Sequence, residues 1–134
     1  DKEKDIAIGC GRFEYDRETG IIHFRRQVEF TDESQNLVIR CEAMDLLEKE
    51  DIVIMQMAVR LIQDDIVCRG EFATFNRAQN TLAISGRPVV WRGEDEYRAN
   101  RITVNLDTDD ISLEGTVSGA LTTQEESSNE GASP

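Results

Sequence analysis

The feature that most limits what this chain can fold into is a motif that recurs four times. Cys10, Cys41, Gly70 and Ala99 are small, and five places after each comes a large apolar residue: Tyr15, Leu46, Phe75 and Val104. These anchors stand 31, 29 and 29 residues apart. Ten places after each anchor sits a turn former, in order Gly20, Asp51, Asn80 and Asp109. Self-similarity at a fixed period marks a repeat architecture, and any fold must accommodate all four copies together.

Beyond each turn former the apolar residues fall at even spacings. The first unit reads Ile22, Phe24, Val28, Phe30 and the second Val53, Met55, Met57, Val59, Leu61. The third gives Leu82, Ile84, Pro88, Val90 and the fourth Ile111, Leu113, Val117, with polar residues such as His23, Arg25, Gln27 and Glu29 between the apolar ones. Period two is the mark of a strand with one buried and one wetted face. A helix needs apolar positions three and four apart, and only residues 43–49 could pass for one; their place in the repeat argues for strand. The chain is therefore expected to be all-β, each unit a strand, a tight turn and a longer strand. Turns are expected at Asp16–Gly20, Asn76–Asn80 and Asp107–Asp110, where Gly, Asn and Asp suit the backbone. The second turn, Leu47–Asp51, has weaker turn chemistry. Further loops are placed near residues 31–36, 63–65 and 92–96.

The alternation slips by one residue between each anchor and its third follower, which predicts a bulge or bend there. With that slip allowed, one inner face collects Phe13, Tyr15, Phe24, Val28, Phe30, Met44 and Leu46 from the first half of the chain. Met55, Met57, Phe75, Leu82, Ile84 and Trp91 continue it, and Ile102, Val104, Ile111 and Leu113 complete it. A single repeat cannot cover such a face, but four stacked units can, by curling the sheet or folding it into two layers. The first and last units then end in strand edges that invite strand addition. Flexible methionines and aromatics on the inner face suit a groove for acyl chains; a fully collapsed core is the alternative that composition favours.

Charge and residue inventory narrow the function. A chain of 134 residues with 39% hydrophobic content fits one folded domain. Its net charge of −12 repels phosphate backbones, so no nucleic-acid partner is expected. No apolar run nears the roughly 20 residues needed to span a bilayer as a helix. Cys10, Cys41 and Cys68 lack metal-ligand spacing and His23 is the only histidine, so neither a metal nor a cofactor is expected. No nucleophile stands beside a base in the pattern, and His23 has outward parity, so the chain is read as no enzyme. Arg40, Arg69 and Arg98 each precede an anchor, and Glu42, Glu71 and Asn100 follow one. In stacked strands they are expected to form a ladder of alternating charge on the outer face, either weak salt bridges or contacts for ligand phosphates and sugar acids. The charged opening at Asp1–Lys4 looks like a processed start.

The segment Arg98–Val117 resembles the OstA-like repeat of lipopolysaccharide transport: a small residue, an acidic or amide residue, a strand, a turn, an alternating strand and a Gly-x-Val. Residues 99–117 fit best, and 10–28 and 70–88 fit more loosely. The likeness runs over about residues 8 to 120 and points to the periplasmic bridging family of LptA, LptC and the N-terminal domain of LptD. The second unit departs from it with Leu46-Leu47, and Arg26 and Met57 stand where Gly86 and Gly115 keep glycine. Pro88 replaces the valine of Val28, Val59 and Val117. The resemblance implies an open antiparallel β-jellyroll over residues 8–121, with a flexible segment at 1–7 and a disordered acidic, Ser-rich tail at 122–134. It implies that the interior holds the acyl chains of lipopolysaccharide (its lipid A part) without chemistry, in the periplasm after removal of a signal sequence. Edge strands are implied to join protomers to each other or to other transport proteins. A packed assembly module without lipid, or a carbohydrate-binding module, remains the alternative.

Overall fold

The computed structural model describes residues 5–121. It contains β1 (Ile6–Gly9), β2 (Arg12–Asp16), β3 (Ile21–Asp32), β4 (Leu37–Leu47), β5 (Ile52–Gln63) and β6 (Ile66–Asn76). The second half adds β7 (Thr81–Ser85), β8 (Val89–Arg92), β9 (Asp95–Arg98), β10 (Arg101–Asn105), β11 (Ile111–Glu114) and β12 (Ser118–Ala120). A 3-10 turn, Glu33–Gln35, joins β3 to β4. The fold is all-β, as the period-two pattern requires, and the stretch that could pass for a helix is the end of β4. The first strand begins at Ile6, so Ile6 and Ala7 pair with Asp32 and Thr31. Residues 122–134, where a disordered tail was expected, lie outside the described residues.

Every strand pair is antiparallel, and four long strands, β3 to β6, take part in two layers. In the first layer β2, the early half of β3, the late half of β4 and the early half of β5 lie side by side, followed by the late half of β6, β7, β10 and β11. In the second layer β1 pairs with the late half of β3, the middle strands follow with their other halves, and β8, β9 and β12 complete the set. Phe30 of the second layer meets Phe75 of the first edge to face, with ring centroids 6.4 Å apart. The two layers thus face each other across one core.

Each long strand turns between layers at a corner, and the corner has a backbone signature. Register breaks between Arg25 and Val28, between Arg40 and Ala43, and between Gln56 and Val59. The expected slip beside the anchors Cys41 and Gly70 is therefore present. The residues that accomplish it lie on the facing strands: Arg26 and Gln27, then Met57 and Ala58, all have positive φ. In the third and fourth units Gly86 (φ 79), Arg87 (φ 54) and Gly115 (φ 93) occupy the same place. Glycine enters this region freely, whereas Arg26 and Met57 do so at a cost of about 1–2 kcal/mol each. Corner amides find side-chain partners from the residue after an anchor. Gln27 N donates to Glu42 Oε1 (3.3 Å) and Thr116 N to Asn100 Oδ1 (2.7 Å).

The turns at the far end of the first layer share a second signature. Gly20, Asp51, Asn80 and Asp109, the four turn formers, all have positive φ. Asp16 Oδ1 accepts from the amides of Glu18 and Thr19, and Asn105 Oδ1 from those of Asp107 and Thr108. The Leu47–Asp51 turn lacks such a side-chain acceptor and closes through Asp51 N to Leu47 O at 2.8 Å.

The corner makes a sharp prediction. A Cβ at Gly86 would lie 2.6 Å from Glu71 Cβ, on a backbone already at positive φ, whereas nothing lies within 4 Å of a Cβ at Gly9. Gly86→Ala should therefore lower stability by roughly 2–3 kcal/mol in urea unfolding, from backbone strain plus the clash. Gly9→Ala should stay within about 0.5 kcal/mol of the parent. Equal effects of the two changes would refute this account of the corner.

Candidate functional site

The inner faces of the two layers are built from rows of cross-strand partners. One row of the first layer runs Phe13, Phe24, Met44, Met55, Ala73, Ile84, Ile102, Leu113, each paired with the next. A parallel row runs Tyr15, Ile22, Leu46, Val53, Phe75, Leu82, Val104, Ile111 in the same register. The second layer answers with Ile8, Phe30, Ile39, Leu61, Cys68, Val90 and Tyr97. An apolar seam therefore runs across every strand of the first layer, from one edge to the other. Directly opposed apolar side chains are the unit of such stabilisation.

Of the residues that the sequence places on the inner face, ten are in the buried core: Phe24, Val28, Phe30, Met44, Met55, Phe75, Leu82, Ile84, Ile102 and Val104. Leu46, Ile111 and Leu113 are half-buried against it. Phe13 and Tyr15 lie in the inner rows by register but are 65% and 49% exposed. They belong to β2, an edge strand with no neighbour beyond it among the described residues, and Phe13 stacks on Phe24 at 6.2 Å. Two assignments need correcting. Met57 is 54% exposed because its left-handed backbone turns it out of the alternation at the corner. Trp91 faces outward beside the buried Val90; its Nε1 donates to Glu96 Oε1 at 3.3 Å and Arg69 lies over its ring. Between the edges the interior is filled, with Met55, Leu61, Cys68, Ile84, Val90 and Ile102 fully buried.

Opposite the corner the two layers meet at their turns, and there a polar clasp closes the slit. Asn80, buried at the first-layer turn, donates through Nδ2 to Gln35 Oε1 of the second layer (2.7 Å) and to Asp107 Oδ1 (2.6 Å). Gln63 Nε2 donates to Gln35 O at 3.0 Å. Arg92 of β8 reaches the carbonyl of Asp109 in the last first-layer turn. Asn80 Oδ1 and Arg92 Nε are buried without partners, so the clasp is incompletely satisfied and cheaper to open than a full network. Sequence reasoning missed it because its members are far apart in the chain and each reads as an ordinary loop residue.

On the outer face the expected alternation of charge is not found, since Arg40, Arg60 and Arg69 stand directly opposite one another in register and the ion pairs form elsewhere. Arg40 Nε pairs with Glu29 (2.8 Å) and Arg98 Nε with Glu96 (2.7 Å), while His23 and Arg25 share Asp45. Hydrogen bonding to Arg98 holds the Glu96 carboxyl below its usual range. Among the described residues no group of three His, Cys, Asp or Glu is placed to hold a metal ion.

No family model matches this chain, and no curated protein matches it. Its structure is similar to that of LptH from Pseudomonas aeruginosa, described as the LptA-homologous periplasmic component of the lipopolysaccharide transport device. The TM-score is 0.82 at 12% identity, over 91% of this chain and 98% of that one. At that identity the likeness establishes a shared open β-jellyroll fold.

The cysteines report directly on how closed the interior is. Burial pushes the Cys68 thiol up to about 12 and the Cys41 thiol up to about 11, while Cys10 is half-exposed. At pH 8, iodoacetamide should modify Cys10 alone in the folded chain, seen as one adduct by mass spectrometry; labelling of all three at equal rates would contradict a filled interior. Because both folded pKa values lie above the unfolded thiol value near 8.5, their contribution to stability is whole below that pH. It is lost as pH rises through 11 to 12.

Proposed function

We infer that this chain is a non-catalytic lipid carrier whose jellyroll domain, residues 8–121, takes the acyl chains of lipopolysaccharide between its layers and passes them across the periplasm. The observation that carries this reading is the apolar seam that ends at both edges of the first layer in accessible side chains. Phe13 and Tyr15 stand at one edge and half-buried Ile111 and Leu113 at the other. An interior that served stability alone has no need to present aromatics at an unpaired edge. Exposing acyl chains to water costs about 0.8 kcal/mol per CH₂, so a carrier needs a continuous shielded path. Because the interior is filled, uptake proceeds by parting the layers, with the corner as hinge and the clasp as the closure that yields. Resemblance to the OstA-like repeat and the fold shared with the LptH structure support the choice of lipid and compartment.

The free edges, β1 and β2 at one end and β11 and β12 at the other, suit strand addition by a second copy or by another transport protein. The filled interior also favours a second reading, an assembly module that uses those edges and holds no lipid.

Native mass spectrometry with and without lipid A separates the two readings. The carrier gains the mass of a bound lipid, and Phe13→Glu or Leu113→Glu reduces the loaded fraction roughly tenfold, since each puts a charge in the seam at a cost above about 1.4 kcal/mol. No lipid increment, together with oligomers that grow with concentration, would replace the carrier by the assembly module.

A further inference from the structure

Outside the apolar interior, beside the corner, lies a depression of about 340 Å³. Three arginines from three separate segments line it: Arg69 on β6, Arg87 at the β7–β8 corner and Arg98 on β9. Glu71 is the one carboxylate among its lining residues, and Glu96 outside the lining pairs with Arg98, so three guanidinium groups stand against two carboxylates in a chain of net charge −12. Gly70 and Gly86 shape it. A Cβ at Gly70 would come within 2.6 Å of Ile84 Cγ1, so neither glycine can gain a side chain without displacing the packing beneath.

The fold tolerates repulsion here. Register sets Arg69 directly opposite Arg60, and Arg60 opposite Arg40, and like charges in that arrangement destabilise a sheet. Two of the three lining arginines are held in place. Arg98 uses Nε on Glu96, which leaves its terminal N–H groups, and Arg69 rests 5.4 Å from the centre of the Trp91 ring, which leaves its N–H edge. Arg87 makes no ion pair or hydrogen bond to the described residues. Arginine side chains gathered beside a concave space suit a phosphate group, since arginine binds it bidentately. A space of this size exceeds what a bare anion fills and lies within the range of small-molecule sites.

We propose that this depression binds a phosphate monoester of a small sugar, with Arg69, Arg87 and Arg98 on the phosphate and Glu71 accepting hydrogen bonds from the hydroxyl groups. The acidic remainder of the surface repels a long polyanion. A small dianion is spared most of that repulsion, because screening confines it to about 8–10 Å at ordinary salt. The site lies on the outer face and does not depend on what the interior holds.

Calorimetry and phosphorus NMR with glucose 6-phosphate, inorganic phosphate and glucose test the proposal on the full chain, on Arg87→Gln and on Glu71→Ala. Matching thermal unfolding of the three proteins shows that the variants fold. Glucose 6-phosphate should bind saturably, one per chain, and Arg87→Gln should weaken it roughly tenfold or more by removing charge-assisted hydrogen bonds. Glu71→Ala, which removes the acceptor, should erase the preference for glucose 6-phosphate over inorganic phosphate, and glucose alone should give no signal. Phosphatidylinositol 4-phosphate in phosphatidylcholine vesicles offers the same chemistry on a membrane. Arg87-dependent binding of either form supports the site, and the pair distinguishes a soluble ligand from a headgroup. Failure of both to bind, or affinity unchanged in Arg87→Gln, overturns the proposal. Equal affinity for inorganic phosphate and glucose 6-phosphate overturns its sugar half.

Discussion

The left-handed corner is the constraint on which this structure depends. Each repeat carries one or two residues at positive φ midway along its longer strand, at Arg26-Gln27, Met57-Ala58, Gly86-Arg87 and Gly115. Without that turn the twelve-residue strands β3 and β5 would continue as one flat sheet with its apolar face in water. With it, every long strand contributes to both layers, and the apolar rows close on each other. The corner is defined by backbone conformation, which explains why residues as unlike as arginine, methionine and glycine occupy it. Three of the four copies bear the strain of at least one side chain there, and burial of the seam offsets it.

From the corner the remaining architecture follows. Layers joined along one side must meet at their turns on the other, and the meeting is polar: Asn80 of the first layer, itself bonded to Asp107, reaches Gln35 of the second, and Arg92 of the second reaches the Asp109 carbonyl of the first. A hinge of continuous strands faces a closure of a few imperfectly satisfied hydrogen bonds. That asymmetry gives the two sides of the jellyroll very different costs of opening. It makes the turn side the natural entrance for an apolar ligand, while the edges β2 and β11 offer continuity with whatever lies beyond.

Much of this was legible in the sequence, and the exceptions have physical causes. Period-two alternation gave the strands, and the four turn formers proved to be the four left-handed turn residues because Gly, Asn and Asp tolerate that conformation. Ten of the inner-face residues are buried where parity put them. Met57 was misjudged because Met55 and Val59 keep even spacing around it, and nothing in the residue type announces a left-handed backbone. At Trp91 the adjacent buried Val89 and Val90 hide the parity, and its real neighbours Arg69 and Glu96 emerge only from pairing. Phe13 and Tyr15 have the right parity, but exposure depends on their lying in an edge strand, a matter of topology. The clasp joins Gln35 to Asn80 across forty-five positions, a separation no local pattern reveals. The arginine depression likewise exists only once β6, the β7–β8 corner and β9 come together.

The central claim is that the filled interior opens at its turns to accept acyl chains. Spin labels at Asp65→Cys in the β5–β6 turn and Ala78→Cys in the β6–β7 turn, both exposed positions, report the separation of the layers by pulsed electron resonance. Cys10 is replaced by serine, and Cys41 and Cys68 are shielded by burial. Addition of lipid A should shift the distance distribution to longer values, reversibly, with the corner intact. Lipid bound by mass with an unchanged distance would contradict the account and place the ligand outside the interior.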